Sequence, residues 1–251
     1  MLGGLVALAA PAELDATRGA ELSAPSAPSP PSPAPASATP AVLRSISSQA
    51  PRCPKGRSHC VGIALHVVVE DGQAIQTGDF VATQLDEANR HFAAIDTGFE
   101  LVSVEPLAAE RKWVHSREDR DAFGAFTARP GVVHVFLVER LDDVDARPET
   151  AGVLESTPQI RGVHWRLRAD IEQRWIVLSA IAPDMVLAHE LGHYFGLPHS
   201  GYAISIMNKR PRENPPREKR TFHRDEVEIM RRERDQMLAS RWLLERRTSG
   251  P

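Results

Sequence analysis

Between His189 and Ser200 the chain reads HELGHYFGLPHS, and this stretch restricts the fold more than any other. His189 and His193 are four residues apart, so in a helix they lie one turn above each other on a single face. Gly196 stands where that helix must stop, because glycine accepts the left-handed conformation that turns the chain back. The turn then brings His199 in beside the other two. A chain carrying this stretch must pack a helix end, a turn and a return segment around three converging imidazoles.

Three neutral imidazoles leave one tetrahedral position open for water on a zinc ion, the pattern of a catalytic site rather than a structural one. Glu190, next to the first histidine, is placed to reach that water rather than the ion. Zinc lowers the water's pKa towards ~7, Glu190 takes the proton, and the metal steadies the developing oxyanion. An isolated HExxH recurs by chance in unrelated helices. Gly196 and His199 at their offsets set this one apart.

The remaining chain offers a sheet for that helix. VGIALHVVVEDG, from Val61, reads as a buried strand ending in a turn. Asp79 opens a helical pattern with Phe80, Leu85, Ala88, Phe92 and Ile95 near helical spacing. FELVSVEPL from Phe99, the β-branched GVVHVFLVERL from Gly131, the alternating GVHWRL from Gly162 and the apolar RWIVLSAIA from Arg174 read as four more strands. Pro183-Asp184 is expected to cap the helix that carries the histidines. After an irregular stretch with several prolines, His223 to Arg247 reads as a long charged helix. Its apolar stripe is Val227, Met230, Met237, Leu238, Trp242 and Leu244. The order predicts an α/β (α+β) fold, a mainly parallel sheet with helices packed against it.

The first 22 residues contain a short apolar run, Leu2 to Ala10, followed by Ala10-Pro11-Ala12. They resemble the second half of a secretory signal without its positively charged opening. Residues 23–60 read as a Pro/Ser/Ala-rich linker with a cysteine-containing loop, and 61–251 as the folded domain. Cys53 and Cys60, the two cysteines present, suit a local disulfide if the protein is exported, to a secreted or periplasmic destination. A net charge of −3 gives no reason to expect a nucleic-acid partner, and no stretch reaches the ~18 apolar residues of a membrane span.

HELGHYFGLPH matches HExxHxxGxxH, and SIMN follows with Met207 eight residues after His199. These residues resemble the zinc signature and methionine turn of the metzincin metalloproteases. The short separation and Ser200 look most like the matrixins, with pappalysin-like bacterial relatives an equal match for the part upstream. The resemblance implies a five-stranded mixed, twisted sheet with one antiparallel edge strand, here GVHWRL. It also implies an active-site helix, a methionine turn and a C-terminal helix. Substrate peptide would add in extended form to the edge strand. By the same likeness His189, His193 and His199 bind one zinc ion, Glu190 is general base and then acid, and Met207 floors the site.

The chain departs from the pattern in three places. Lys209 stands where some metzincins place a tyrosine ligand. LDDVDARPE occupies the position of the matrixins' structural zinc loop without a histidine. Its Asp142, Asp143 and Asp145 offer calcium ligands, although three acids in one loop are usually solvated. PRC at 51–53 echoes the matrixin cysteine switch, but Pro54-Lys55-Gly56 does not continue it and a disulfide would abolish it.

His66, His134 and His164 fall in strands and are assigned to no metal. Trp113, Trp165, Trp175 and Trp242 are expected to pack. The basic KRPRENPPREKR after the methionine turn reads as a solvated loop or as a pocket wall favouring acidic side chains. The expected function is that of a secreted zinc endopeptidase. A restricted or exo-acting metallopeptidase, a catalytically weak zinc-containing binding module on the same fold, and a cytosolic zinc protein are the competing readings.

Overall fold

A computed structural model describes residues 41–145, 158–170 and 172–246. The elements, in order, are α1 (Ala41–Gln49), β1 (His59–Glu70), β2 (Gln73–Ala74), α2 (Gly78–Phe92), β3 (Thr97–Leu107), β4 (Trp113–Val114) and α3 (Arg117–Asp121). They continue with β5 (Val133–Val138), β6 (Arg140–Leu141), β7 (Gly162–Arg166), β8 (Arg174–Ser179), α4 (Val186–Tyr194) and α5 (Arg224–Ala239).

The main sheet runs β3-β1-β5-β8-β7, with the short β2 folded back on the end of β1. β1 is parallel to β3 and β5, and β5 is parallel to β8. β7 pairs antiparallel with β8 and is the last strand on that side. The expected five-stranded mixed sheet with one antiparallel edge is therefore present. β1 is central and covered on both faces, which explains its unbroken apolar run.

Alternate strand residues feed two cores. Val61, Ile63, Leu65, Val67, Val135, Leu137, Ile176 and Leu178 face α2, α4 and α5. Val68, Phe136, Val138, Trp175 and Val177 face Phe123 and the small β4–β6 pair on the opposite side. On α4 and at its C-cap, Leu187, Leu191, Tyr194 and Phe195 are all buried in the first core. At roughly 1.5–3 kcal/mol per large apolar side chain, that burial fixes the helix against the sheet.

Several expectations are corrected. Residues 41–60 are not linker: α1 buries Leu43 and Ile46 in the main core, and β1 begins at His59. The last helix stops at Ala239 rather than Arg247, because Arg241 takes a positive φ of 60° and turns the chain. The returning segment bridges to the sheet through Leu243 with Gly131 and Glu245 with Val61. That leaves Leu244 exposed instead of on the helix stripe. Trp113 is exposed too, with Lys112 over its ring, whereas Trp165 and Trp175 are buried as expected. The candidate signal and the proline-rich stretch before Ala41 lie outside the described residues. Among those described, no helix is long and apolar enough to cross a membrane.

Candidate metal centre

α4 begins without the expected Pro183-Asp184 cap. Met185 occupies the N-cap in a left-handed conformation (φ 68°) and offers no side-chain hydrogen bond. Gln84 of α2 supplies one instead: its Oε1 accepts the Leu187 N–H at 2.9 Å and its Nε2 donates to Pro183 O at 2.9 Å. The other end closes as the sequence predicts. Gly196 has φ 87°, its N–H donates to His193 O, and the Leu197 N–H reaches back to Gly192 O, each at 3.0 Å. This paired arrangement satisfies the helix's last carbonyls and reverses the chain.

The reversal brings the three histidines together. His193 Nε2 lies 3.2 Å from His199 Nε2, and one ligand nitrogen from each of the three falls within 4.8 Å of the others. His189 Nδ1 donates to Ile206 O at 2.8 Å, and His193 Nδ1 to Leu197 O at 2.7 Å. With Nδ1 protonated, each Nε2 keeps its lone pair free. Burial lowers the pKa of all three, that of His193 to about 4 with help from His189. They are neutral at physiological pH, as metal ligands must be. Nitrogens bound to one tetrahedral zinc lie ~3.4 Å apart, so this donor set fits the ion after small side-chain rotations.

Glu190 is buried, and burial pushes its carboxyl up to about 8; the His164 backbone N–H and the Arg120 guanidinium pull it back. That N–H belongs to the edge strand. Ser179 N–H bonds to Arg161 O and Leu167 N–H to Gln173 O, both at 3.0 Å. By antiparallel alternation, Gly162, His164 and Arg166 turn their backbone groups away from β8, towards the free edge. Gly162 is tight against the helix: a Cβ there would stand 2.7 Å from Val186 Cγ1 and 3.1 Å from Glu190 Cγ. The His164 ring packs edge-on to Tyr194, and its Nε2 is buried with no hydrogen-bond partner.

Met207 is fully buried under α4, where a Cβ on Gly192 would meet its Sδ at 2.5 Å. Three residues missed in the sequence hold this turn. Ser205 Oγ accepts the Met207 N–H at 2.9 Å and donates to the Glu226 carboxylate, which also accepts the His223 N–H at the start of α5. Arg212 donates to the carbonyls of Ala203, Ser205, Asn208 and Arg210. The spacing His223-x-x-Glu226 is that of a capping box and was available as a signal. Nothing local pointed to Gln84 or Arg212. Much of the basic segment is thus internal strapping, since Arg217 and Arg220 also donate to backbone carbonyls.

The other sequence candidates lie apart from the triad. Cys53 and Cys60 are bonded to each other, Cα atoms 6.0 Å apart, which leaves no thiolate for a cysteine switch. Asp142 is engaged by Arg140 and by His115, each at 2.7 Å; Asp145 pairs with Arg117 and Arg120, and Asp143 accepts the Asp145 N–H. Asp142 and Asp145 are thus paired with cations of the chain, and among the described residues these acids form no cluster able to hold a metal ion. His66 and His134 stack on each other inside the second layer, joined by a 3.0 Å hydrogen bond.

The family model for the matrixins matches residues 110–232, which include the triad, Glu190 and Met207. No curated protein matches the chain. Among solved structures, metalloproteinase-II from Bacteroides fragilis is similar at 13% identity, with a TM-score of 0.46 over 70% of this chain and 53% of that one. The chain thus spans about half of that protein's length. The matrixin match bears out the metzincin resemblance read from the motif.

Proposed function

Starting from a metzincin-like metallopeptidase, we propose that the protein is an exported zinc endopeptidase that hydrolyses peptide bonds in extended substrates. One observation carries the reading: three histidine Nε2 atoms converge beside a buried Glu190 that is hydrogen-bonded to the free edge of β7. His189, His193 and His199 would hold the ion. When bound, zinc acidifies a water towards ~7 and offsets negative charge on the substrate carbonyl.

The chain's own residues do the rest. The peptide adds as a further strand on β7, using the backbone groups of Gly162 and Arg166 and the carbonyl of His164, whose N–H is taken by Glu190. Burial raises the Glu190 carboxyl to about 8 in the metal-free protein, and a cation held by the three histidines would favour its ionised form. In that ionised form Glu190 would accept a proton from the attacking water and return it to the leaving amine. Ile206 O and Leu197 O keep His189 and His193 in the ligand tautomer. Met207 packs under the helix and takes no part in proton transfer. The Cys53–Cys60 disulfide supports an oxidising compartment.

The test is cleavage of a mixed peptide library by the zinc-loaded protein beside Glu190→Ala, with zinc content measured in both. Internal cuts that vanish in the variant at equal zinc are the expected result. Trimming from one end alone would replace the endopeptidase reading with an exo-acting one. No Glu190-dependent cut, with zinc bound, would point to a binding module.

A further inference from the structure

The side chain of Arg166 is close enough to the triad for its charge to be felt at His193, and it has no role in the chemistry above. Gly162, His164 and Arg166 share one face of β7, because alternate strand residues point the same way. His164 uses that face to reach Tyr194, ring centroids 5.6 Å apart, next to His193 in sequence. Arg166 is the next side chain along it, exposed, and without an ion pair or hydrogen bond among the described residues.

Directly across the strand pair stands Arg174. Like charges facing each other on an antiparallel pair repel. Arg174 cannot swing clear: it donates to Tyr194 O at 3.0 Å and its guanidinium lies 3.7 Å from the centre of the Trp242 ring. Glu172 and Glu233 are within electrostatic reach of Arg174, but neither touches it. The fold therefore holds a fixed cation directly across from Arg166 and leaves the Arg166 side chain exposed on the edge strand. Lys209, exposed two residues after Met207, adds a second positive charge felt by all three imidazoles, while that of Arg166 is felt by His193.

We propose that Arg166 determines specificity, selecting peptides with an aspartate or glutamate at the residue that pairs opposite it on the β7 edge. The proposal rests on the endopeptidase reading. Side chains directly opposite in a strand pair lie on the same face with Cβ atoms ~5 Å apart, so a carboxylate there reaches the guanidinium fork. It also relieves the repulsion between Arg166 and Arg174.

The experiment compares kcat/KM for peptide pairs differing only as Asp against Asn or Glu against Gln, scanned along the sequence. The enzymes are the zinc-loaded parent, Arg166→Gln and Arg166→Glu. At one position the acid should be preferred by about 5-fold. The preference should vanish in Arg166→Gln, invert in Arg166→Glu, and shrink at about 0.5 M salt. Anisotropy with the same peptides on zinc-loaded Glu190→Gln, with and without Arg166→Gln, measures binding without cleavage. Cleavage whose acid-to-amide ratio ignores Arg166 overturns the proposal and leaves the endopeptidase standing. If nothing is cleaved, that reading falls, and the anisotropy decides this one. Tighter binding of the acidic peptide that depends on Arg166 upholds it, and equal binding overturns it.

Discussion

The helix that carries His189 and His193 depends at its start on a side chain from elsewhere, which makes Gln84 the most informative place to perturb the fold. Gln84 is 2% exposed and makes two hydrogen bonds of 2.9 Å, one accepting from Leu187 N–H and one donating to Pro183 O. Gln84→Met keeps the side chain's length and removes both. Each stranded backbone group costs about 1–3 kcal/mol. The added apolar contact of methionine returns about 1 kcal/mol. The net expectation is a loss of about 1–5 kcal/mol. At about 2–4 °C per kcal/mol for a domain of this size, Tm should fall by about 2–20 °C. Thermal unfolding of the metal-free protein reads this directly, and Gln84→Glu, which keeps the acceptor but loses the donor, should fall between parent and Gln84→Met. Zinc titration of the same variant should show weaker binding, because Leu187 is in the same first turn as His189. A Tm for Gln84→Met within about 2 °C of the parent would refute the argument that this glutamine caps α4.

His91 is buried, and burial lowers its pKa to about 4 from 6.5. The folded state therefore binds fewer protons than the unfolded one across that interval. Its stability contribution is fully present above pH 6.5 and is lost as pH falls towards 4. The loss should reach about 3 kcal/mol, seen as a falling urea midpoint. His91→Leu, which also removes the unpartnered buried Nδ1, should flatten that slope; an unchanged slope would exclude His91 as its source. Gly196→Ala forces a left-handed alanine whose Cβ would lie 2.8 Å from Glu233 Cγ. It should cost about 1–2 kcal/mol and weaken zinc binding through the displaced turn to His199. Equal zinc affinity by chelator competition would show that the turn does not set the third ligand.

What could be read in advance follows from how far the determining contact lies along the chain. His189, His193, Gly196 and His199 obey rules that operate within one helical turn and one cap, so their convergence was legible. The strands were legible for the same reason, since a sheet covered on both faces demands runs such as Ile63–Val68. α1 was not, because two buried residues, Leu43 and Ile46, leave little pattern beside a proline-rich stretch. Gln84 meets Leu187 across 103 residues and Ser205 meets Glu226 across 21, and no local spacing announces either. The Asp142 loop makes the asymmetry plain. It contains no histidine, yet the fold sets His115 against Asp142 from 27 residues upstream. A local motif can therefore bring side chains together predictably, but the local lack of a residue cannot establish that a partner is missing. The same reasoning holds for Arg166. Its face and its neighbour Arg174 follow from the register of β7 on β8, a pairing the alternation in GVHWRL implies only once the partner strand is known. The three histidines and Glu190 were written within one short segment, and what holds and charges the site around them was distributed over the fold.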